Sequence, residues 1–301
     1  MPPVAVASRR QTSDYLADQS NIVRRLVFRL VRKHIAGTTT GSVLRGVKQL
    51  NDRKLHATVT FLSENATNAN KIRYNINTYV QFIRQISRLN LNADISLRLS
   101  QIGYKADREG CERGLDQIVG IAGKSDVKVW IESEDWIPTR DVLELISRRH
   151  NAAETLGIEI PIVGHRIERS AFSGIKNIRL TSYTSGGSGG SGKDIMRYYL
   201  SGIKVLGRRG GITVLEPDAK VIQKLVDRQK SYKRDIVFEV PLGYSNKRMN
   251  RLSKMKFNMS VYVPYGNDWI PYAIAKLTEG HIRDIARAVL DGEHKRGSNV
   301  Q

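Results

Sequence analysis

Eight short segments rich in β-forming residues recur along the chain, and segments with the periodicity of amphipathic helices lie between them. The β-rich segments cover residues 56–62, 94–99, 127–131, 160–167, 177–182, 211–215, 236–240 and 259–263. The helical segments cover residues 71–89, 110–122, 140–156, 194–206, 218–229 and 247–255. Strands that alternate with helices form parallel sheets, and no Pro-rich or charged linker interrupts this alternation. The pattern therefore predicts an α/β fold, a single (β/α)8 barrel of the TIM type.

The regions that flank this pattern define the domain organisation. We assign residues 55–292 to the barrel, residues 1–54 to N-terminal basic helices that lead into it, and residues 293–301 to a flexible tail. Residues 13–34 alternate apolar and basic side chains, which is typical of an amphipathic helix. Such a helix can pack one face on the domain, and attachment to a membrane or to RNA is the alternative.

A Gly/Ser tract interrupts the expected pattern. Residues 185–192 read SGGSGGSG where the loop after a strand is expected, a composition typical of a flexible engineered replacement for a longer loop. Gly187, Gly192 and Lys193 match a phosphate-binding loop motif, but Asp194 stands where that motif needs a hydroxyl for magnesium. Because Gly/Ser tracts produce such matches by composition, we predict no nucleotide site here.

The chain is strongly basic, with 49 Lys and Arg residues against 29 Asp and Glu residues and a formal net charge of +20. An excess of this size favours attraction to polyanions through phosphate contacts and counterion release. Basic residues concentrate on the later helical segments, which are neighbours on the outer wall of a barrel. The sequence thus predicts a surface for RNA, a ribonucleoprotein or another polyanion, formed by Arg197, Lys204, Arg208, Arg209, Lys224, Arg228, Lys247, Arg248, Arg251 and Lys254. The alternative is that each basic run is an ordinary solvated face.

Cysteine, histidine and apolar content restrict the remaining possibilities. The one cysteine, Cys111, excludes an internal disulfide and a Cys-based zinc cluster and favours a reducing compartment. The six histidines lack the spacing of a helical zinc site, so no metal site is predicted. No apolar run approaches the roughly 20 residues that a membrane span needs, and the start of the chain lacks the features of a signal peptide. These features predict a cytoplasmic protein and indicate no particular oligomeric state.

Several motifs occur in one order along the predicted elements. LNDRKLHATVTFLSEN at residues 50–65 covers the first strand, and VYVPYGNDWIPY at residues 261–272 covers the last strand and the turn after it. Between them lie ADISLRLSQIG at 93–103, VWIESED at 129–135, NIRL at 177–180 and VFE at 237–239. Together these segments resemble the proline dehydrogenase family, from His34 to about Leu290.

Members of that family hold FAD in the mouth of a β/α barrel and oxidise L-proline to pyrroline-5-carboxylate. The resemblance implies five catalytic or substrate-binding residues, on strands two, three and eight and on the last helix: Arg98, Glu132, Tyr262, Lys276 and Glu279. It also implies three contacts with FAD: Arg179, Leu180 and Glu239.

The chain departs from the family pattern at several of these positions. Arg98 and Glu132 stand where the family has a lysine and an aspartate. Ala275 and Lys276 replace an arginine pair that binds the substrate carboxylate. On the flavin side, Gly164 stands where the family has a glutamine against the isoalloxazine.

Three hypotheses remain open. The chain is a divergent FAD-dependent oxidoreductase acting on proline or a related small amino acid, or it is a catalytically inactive family member whose basic surface binds a polyanion. The third hypothesis is an enzyme of different chemistry that uses Arg98, Glu132, Glu134 and Tyr262 in the same mouth. The enzymatic hypotheses include carboxylates at strand ends because the active site of this fold lies at the carboxyl ends of the barrel strands.

Overall fold

Eight parallel strands close into a barrel in the computed structural model of the chain. The structure describes residues 31–162, 174–181, 183–184, 187–188, 192–206, 212–215, 236–243 and 258–272, together with Phe28, Phe172, Ile222 and Met249. Each barrel strand pairs with two neighbours, and the ring closes where β1 (His56–Phe61) pairs with β10 (Asn258–Tyr265). The predicted (β/α)8 barrel is confirmed.

The other barrel strands follow one another around the ring in chain order. They are β2 (Ala93–Leu97), β3 (Val129–Ile131), β4 (Leu156–Pro161), β5 (Asn177–Thr181), β8 (Ile212–Leu215) and β9 (Ile236–Pro241). A separate antiparallel hairpin joins β6 (Tyr183–Thr184) to β7 (Gly187–Ser188). Since β7 lies inside the Gly/Ser tract, that tract contains a paired strand.

Five helices are described around the ring: α1 (Thr40–Asp52), α2 (Ala69–Arg88), α3 (Arg108–Lys124), α4 (Thr139–Ser147) and α5 (Gly192–Leu206). Polar side chains determine where two of them begin. Asn68 caps α2 by accepting the N–H of Lys71 at 3.0 Å. Asp107 caps α3 in the same way by accepting the N–H of Gly110 at 2.8 Å. The apolar faces of the helices then pack on the outer face of the barrel.

The barrel strands carry apolar residues on their outer face and polar residues on their inner face. In β1, Val59 is buried in the core between strands and helices, whereas the Thr58 hydroxyl hydrogen-bonds to Glu239 across the lumen. In the same way Ser96 and Arg179 meet inside the barrel at 3.0 Å. Barrel interiors are usually filled by Val, Ile and Leu. This lumen is instead filled by hydrogen-bonded and charged groups.

The fourth strand was predicted in the wrong place. The sequence pattern favoured a helix over 140–156 and a strand over 160–167, whereas α4 ends at Ser147 and β4 begins at Leu156. Gly157 weakens the strand signal, because glycine has low strand propensity. The structure requires a glycine there, since a Cβ at this position would lie 2.5 Å from the ring of Trp130. Packing against β3 therefore overrides the local preference.

Some predicted elements lie outside the described residues. These are the helices at 218–229 and 247–255, apart from Ile222 and Met249, the tail at 293–301, and most of the segment 13–34. At the end of that last segment the structure shows a 3-10 turn, Arg32–His34. Among the helices that are described, none combines the length and the apolar character needed to cross a membrane.

Candidate active site

A hydrogen-bonded pair of side chains, Tyr262 and Glu132, lies at the carboxyl end of the barrel. The hydroxyl of Tyr262 on β10 donates to Oε1 of Glu132, just after β3, at 2.7 Å. Val261 and Val263 on either side of the tyrosine are buried in the core, so strand alternation turns Tyr262 into the lumen. Desolvation, followed by the negative charge of Glu132, raises the pKa of Tyr262 well above its usual value. The tyrosine therefore stays protonated, and its hydroxyl donates a hydrogen bond to the carboxylate.

Arg98 lies beside this pair because β2 and β3 are in register. Leu97 pairs with Ile131, and the Glu132 N–H donates to the Leu97 carbonyl at 2.9 Å. Nη2 of Arg98 donates to the Ser63 carbonyl at 2.7 Å. A guanidinium has five N–H donors, and Arg98 forms no ion pair within the part of the chain that the structure describes. Donors of Arg98 thus remain for a ligand at the mouth.

The backbone of Arg98 is held from below by a buried amide. Oε1 of Gln101 accepts the N–H of Arg98 at 3.1 Å and the hydroxyl of Tyr79 at 2.7 Å. Nε2 of Gln101 donates to the Phe61 carbonyl at 2.7 Å, and Asn75 donates to the Gln101 carbonyl at 2.7 Å. A buried polar network in which each member has partners fixes a single arrangement. The position of Arg98 at the mouth is therefore set by its surroundings.

Deeper in the lumen, Arg179 on β5 is completely buried. Its Nε lies 3.0 Å from Oε2 of Glu239, and its Nη1 lies 3.5 Å from Oε2 of Glu159 and 3.0 Å from Oγ of Ser96. The guanidinium also stacks on Trp130, with 4.6 Å between Cζ and the ring centroid. Because strands from opposite sides contribute these contacts, Arg179 and its partners close the lumen beneath the mouth.

Glu159 on β4 is a largely buried acid, with 11% of its side chain exposed, and its pKa is raised. Desolvation raises its pKa to about 8, the charge of Arg179 opposes this shift, and the charges of Glu132 and Glu239 add to it. Most Glu159 side chains are therefore protonated at neutral pH. Sequence reasoning missed this residue because it fell between a predicted helix and a predicted strand. The alternation in LGIEIP, at residues 156–161, was the available signal.

The predicted catalytic residues and the predicted cofactor residues lie in different parts of the barrel. Arg98, Glu132 and Tyr262 lie together at the mouth and are each half-buried. Lys276 and Glu279 lie outside the described residues. Glu134, named in the third hypothesis, is buried and accepts the N–H of Ser100 at 3.0 Å, a contact that orders the loop after β3.

All three residues that the resemblance assigns to FAD are buried, and their contact with FAD stays a prediction. Leu180 is fully buried in the apolar core on the outer face of β5. Arg179 and Glu239 face each other inside the lumen, and neither is exposed to solvent.

The predicted polyanion surface is only partly covered by the structure. Arg197 and Lys204 are both exposed on α5, seven positions and therefore about two turns apart, so they share one face of the helix. The other residues predicted for this surface lie outside the described ranges, so the surface and its RNA partner stay predictions. In the described part of the chain, no cluster of three or more His, Cys, Asp or Glu side chains could hold a metal ion.

Known proline dehydrogenases share sequence with this chain over most of its length. Proline dehydrogenase 1 of Bacillus subtilis (strain 168) is 28% identical over 261 residues, which cover 82% of this chain and 86% of that protein. Proline dehydrogenase 2 of the same strain is 25% identical over 259 residues, covering 82% of this chain and 85% of that protein. No family model matches the chain.

Solved structures share the fold. Proline utilization A from Bdellovibrio bacteriovorus, inactivated by N-propargylglycine, superposes with a TM-score of 0.71 at 13% identity, over 85% of this chain and 33% of that one. Proline utilization A from Corynebacterium freiburgense gives a TM-score of 0.66 at 11% identity, over 95% and 35%. The chain thus spans about a third of those larger proteins. The chain is therefore similar in sequence to proline dehydrogenases over most of its length, and it shares the barrel fold of proline utilization A.

Proposed function

We propose that the mouth of the barrel binds proline or a related small amino acid and that the chain oxidises it with a bound flavin, as the family resemblance implies. The observation that carries this proposal is the convergence of Arg98 with the Glu132–Tyr262 pair at the ends of β2, β3 and β10. A free amino acid is a zwitterion, so its site needs a cation and an anion side by side. Arg98 and Glu132 supply that pair of charges.

Arg98 would take over the recognition of the substrate carboxylate. The arginine pair that serves this purpose in the family is replaced here by Ala275 and Lys276. Arginine instead of lysine at position 98 adds a planar guanidinium that can donate two parallel hydrogen bonds to a carboxylate. Among the residues that the structure describes, only Nη2 of Arg98 is engaged, by the Ser63 carbonyl, so the guanidinium retains donors for this purpose.

Glu132 would receive the substrate nitrogen. Its Oε1 accepts the hydroxyl of Tyr262, which holds the carboxylate in one orientation and leaves Oε2 to accept from an ammonium group. Tyr262 cannot compete for the substrate proton, because its own pKa is raised by desolvation and by Glu132. A flavin, when bound, supplies the acceptor for the hydride. The side chains described here bind and orient the substrate.

The proposal is tested by measuring the affinity of the FAD-supplemented full chain for L-proline by calorimetry. We expect Arg98→Lys to weaken binding about tenfold, because it keeps the charge and removes one of two charge-assisted hydrogen bonds. Arg84→Lys changes an exposed arginine on the outer face of α2 and is the matched control, with unchanged affinity. Tyr262→Phe should weaken binding several-fold through the loss of the hydrogen bond to Glu132.

Two results would contradict this function. One is an Arg98→Lys variant that binds L-proline as tightly as the wild type. The other is a wild-type chain that shows no flavin absorbance after FAD is added and the excess removed, and that neither binds nor oxidises L-proline. The second result would favour the hypothesis of a catalytically inactive family member.

A further inference from the structure

A cavity of about 410 Å³ opens at the end of the barrel opposite the mouth. It is lined by residues at or near the start of several strands, among them His56 on β1, Asp94 on β2 and Asn258 on β10. Parallel strands all begin at the same end of a barrel, so this amino-terminal cavity is far from Glu132 and Tyr262. Its volume is within the range of pockets that bind small molecules.

The carboxylate of Asp94 in this cavity is already fully engaged. Its Oδ1 accepts the N–H of Lys128 at 2.9 Å, and its Oδ2 accepts the indole N–H of Trp130 at 3.2 Å. Nε2 of His56 lies 3.5 Å from the same Oδ2. Burial raises the pKa of Asp94, but His56 and the two N–H donors outweigh burial, so the pKa lies below its usual value. Asp94 is therefore charged, and that charge is compensated by fixed donors.

The second carboxylate, Glu239, is compensated by two hydroxyls and by the charge of Arg179. Its Oε1 accepts the hydroxyls of Thr58 and Ser260, and its Oε2 lies 3.0 Å from Nε of Arg179. Oγ of Ser260 lies 3.0 Å from Nδ1 of His56, so a ring N–H at Nδ1 can donate into the same chain of hydrogen bonds. Neither carboxylate in the wall of the cavity thus needs a cationic ligand.

Three cations at the opening have no such partner. Arg53, Lys54 and Lys128 line the cavity, are exposed, and form no ion pair within residues 31–162 or the other described segments. Their backbones are fixed: Lys54 adopts a left-handed φ of 61°, and the Leu55 N–H beside it donates to the Leu50 carbonyl at 3.0 Å. Lys128 is held through its N–H to Asp94. Two separate loops, before β1 and before β3, thus present cations to one opening.

We propose that this amino-terminal cavity binds a small phosphate-bearing anion, either inorganic phosphate or a small phosphomonoester. Three cations at the opening form no ion pair among the described residues, and both carboxylates already have partners, so the cavity favours an anion. Three cations around one opening favour an anion with more than one negative charge. Arg and Lys are the side chains that recognise phosphate, through charge-assisted hydrogen bonds. The wall of the cavity around His56 would contact the organic part of an ester. This site does not depend on the activity at the mouth.

Calorimetric titration of the full chain with inorganic phosphate, and separately with glycerol 2-phosphate, tests the proposal at an ionic strength held constant with chloride. We expect saturable binding of at least one probe. The double variant Arg53→Gln/Lys128→Gln should weaken it about tenfold or more, through the loss of two charge-assisted hydrogen bonds. The control Arg73→Gln/Arg84→Gln removes the same net charge from exposed positions on α2 and should bind like the wild type.

A second measurement does not depend on any variant. As the phosphate probe is added to the wild type, the ring signals of His56 in the NMR spectrum should shift along the same saturation curve as the heat measured by calorimetry. Tighter binding of the ester than of free phosphate would identify an organic phosphate as the ligand, and the reverse order would identify phosphate itself. The proposal is overturned if neither probe binds saturably, if the two double variants lose affinity equally, or if Arg53→Gln/Lys128→Gln binds as well as the wild type.

Discussion

The mouth of the barrel and the lumen beneath it are both polar, yet they differ in whether their charged groups have partners. At the mouth, among the described residues, the Arg98 side chain has one hydrogen bond and no ion pair, and the Glu132 side chain has one hydroxyl partner. Beneath it, Arg179 is surrounded by the Glu239 carboxylate, the carboxyl group of Glu159, a serine and an indole, and none of its surface is exposed. A compensated buried charge contributes to one defined fold, whereas a group with unused donors or acceptors is available to a ligand. Residues of the family signature occur in both groups, so their presence alone does not identify a binding site.

Removing one charge from each region tests whether the mouth and the lumen differ in this way. Arg179→Met leaves Glu239 buried without its cation, and we expect the free energy of unfolding to fall by about 3–5 kcal/mol. Arg98→Met removes a half-buried charge at the mouth and should cost less than about 1 kcal/mol. Urea denaturation followed by circular dichroism measures both. Equal losses in the two variants would show that the lumen and the mouth do not differ in the way described.

A second prediction concerns how tightly the lumen is filled. Gly157→Ala places a Cβ 2.5 Å from the ring of Trp130 and should destabilise the fold by about 1–3 kcal/mol. Gly120→Ala is the matched control on α3, where a Cβ meets nothing within 4 Å. There the substitution should stabilise the protein by roughly 0.5–1 kcal/mol, because alanine favours a helix. The same denaturation experiment measures both changes in stability. A Gly157→Ala variant as stable as the wild type would mean that Trp130 can move aside.

The third prediction is a pH dependence of stability that belongs to the lumen. The pKa of Glu159 is about 8 in the folded protein, against 4.5 for an unperturbed glutamate. At pH values between 4.5 and 8, Glu159 is protonated in the folded state and ionised in the unfolded chain. The free energy of unfolding should therefore fall as the pH rises from 4.5 to 8, by at most about 1.4 kcal/mol per pH unit. The contribution of Asp94 has the opposite sign, because its pKa is lowered, and it lies below pH 4.

Glu159→Gln removes this titration. In urea denaturation at pH 5, 6.5 and 8, the variant should gain stability relative to the wild type as the pH rises. Parallel curves for the two proteins over this range would show that another group is responsible for the pH dependence.

The sequence predicted the barrel because its evidence is local and repeated. Each strand carries its own run of β-forming residues, and most bounds of the described elements agree with the prediction within a few residues. β4 is the exception, since Gly157 is explained only by Trp130 on the neighbouring strand. A single-sequence pattern contains no information about which side chain faces a glycine across a sheet.

The sequence predicted which residues form the site, but not how deep in the barrel each residue lies. Arg98, Glu132 and Tyr262 were named from motifs, and β2, β3 and β10 bring them to one mouth. Arg179 and Glu239 were named from the same motifs as cofactor contacts, but they bind each other in the interior. The difference arises because the level of a residue along the barrel axis depends on strand register, and register is a property of the closed sheet.

The closure of the ring also limits how copies of this protein can associate. Every strand of the ring has a hydrogen-bonded neighbour on both sides, so the ring offers no edge to which a strand from another molecule could be added. Such addition would first have to separate two paired strands, for example β1 from β10, which are joined over six residue pairs. Among the described strands, only the short hairpin of β6 and β7 has unpaired edges, each two residues long. Aggregation by edge-to-edge pairing is thus opposed by the topology itself, and assembly of the folded barrel has to use helices and loops.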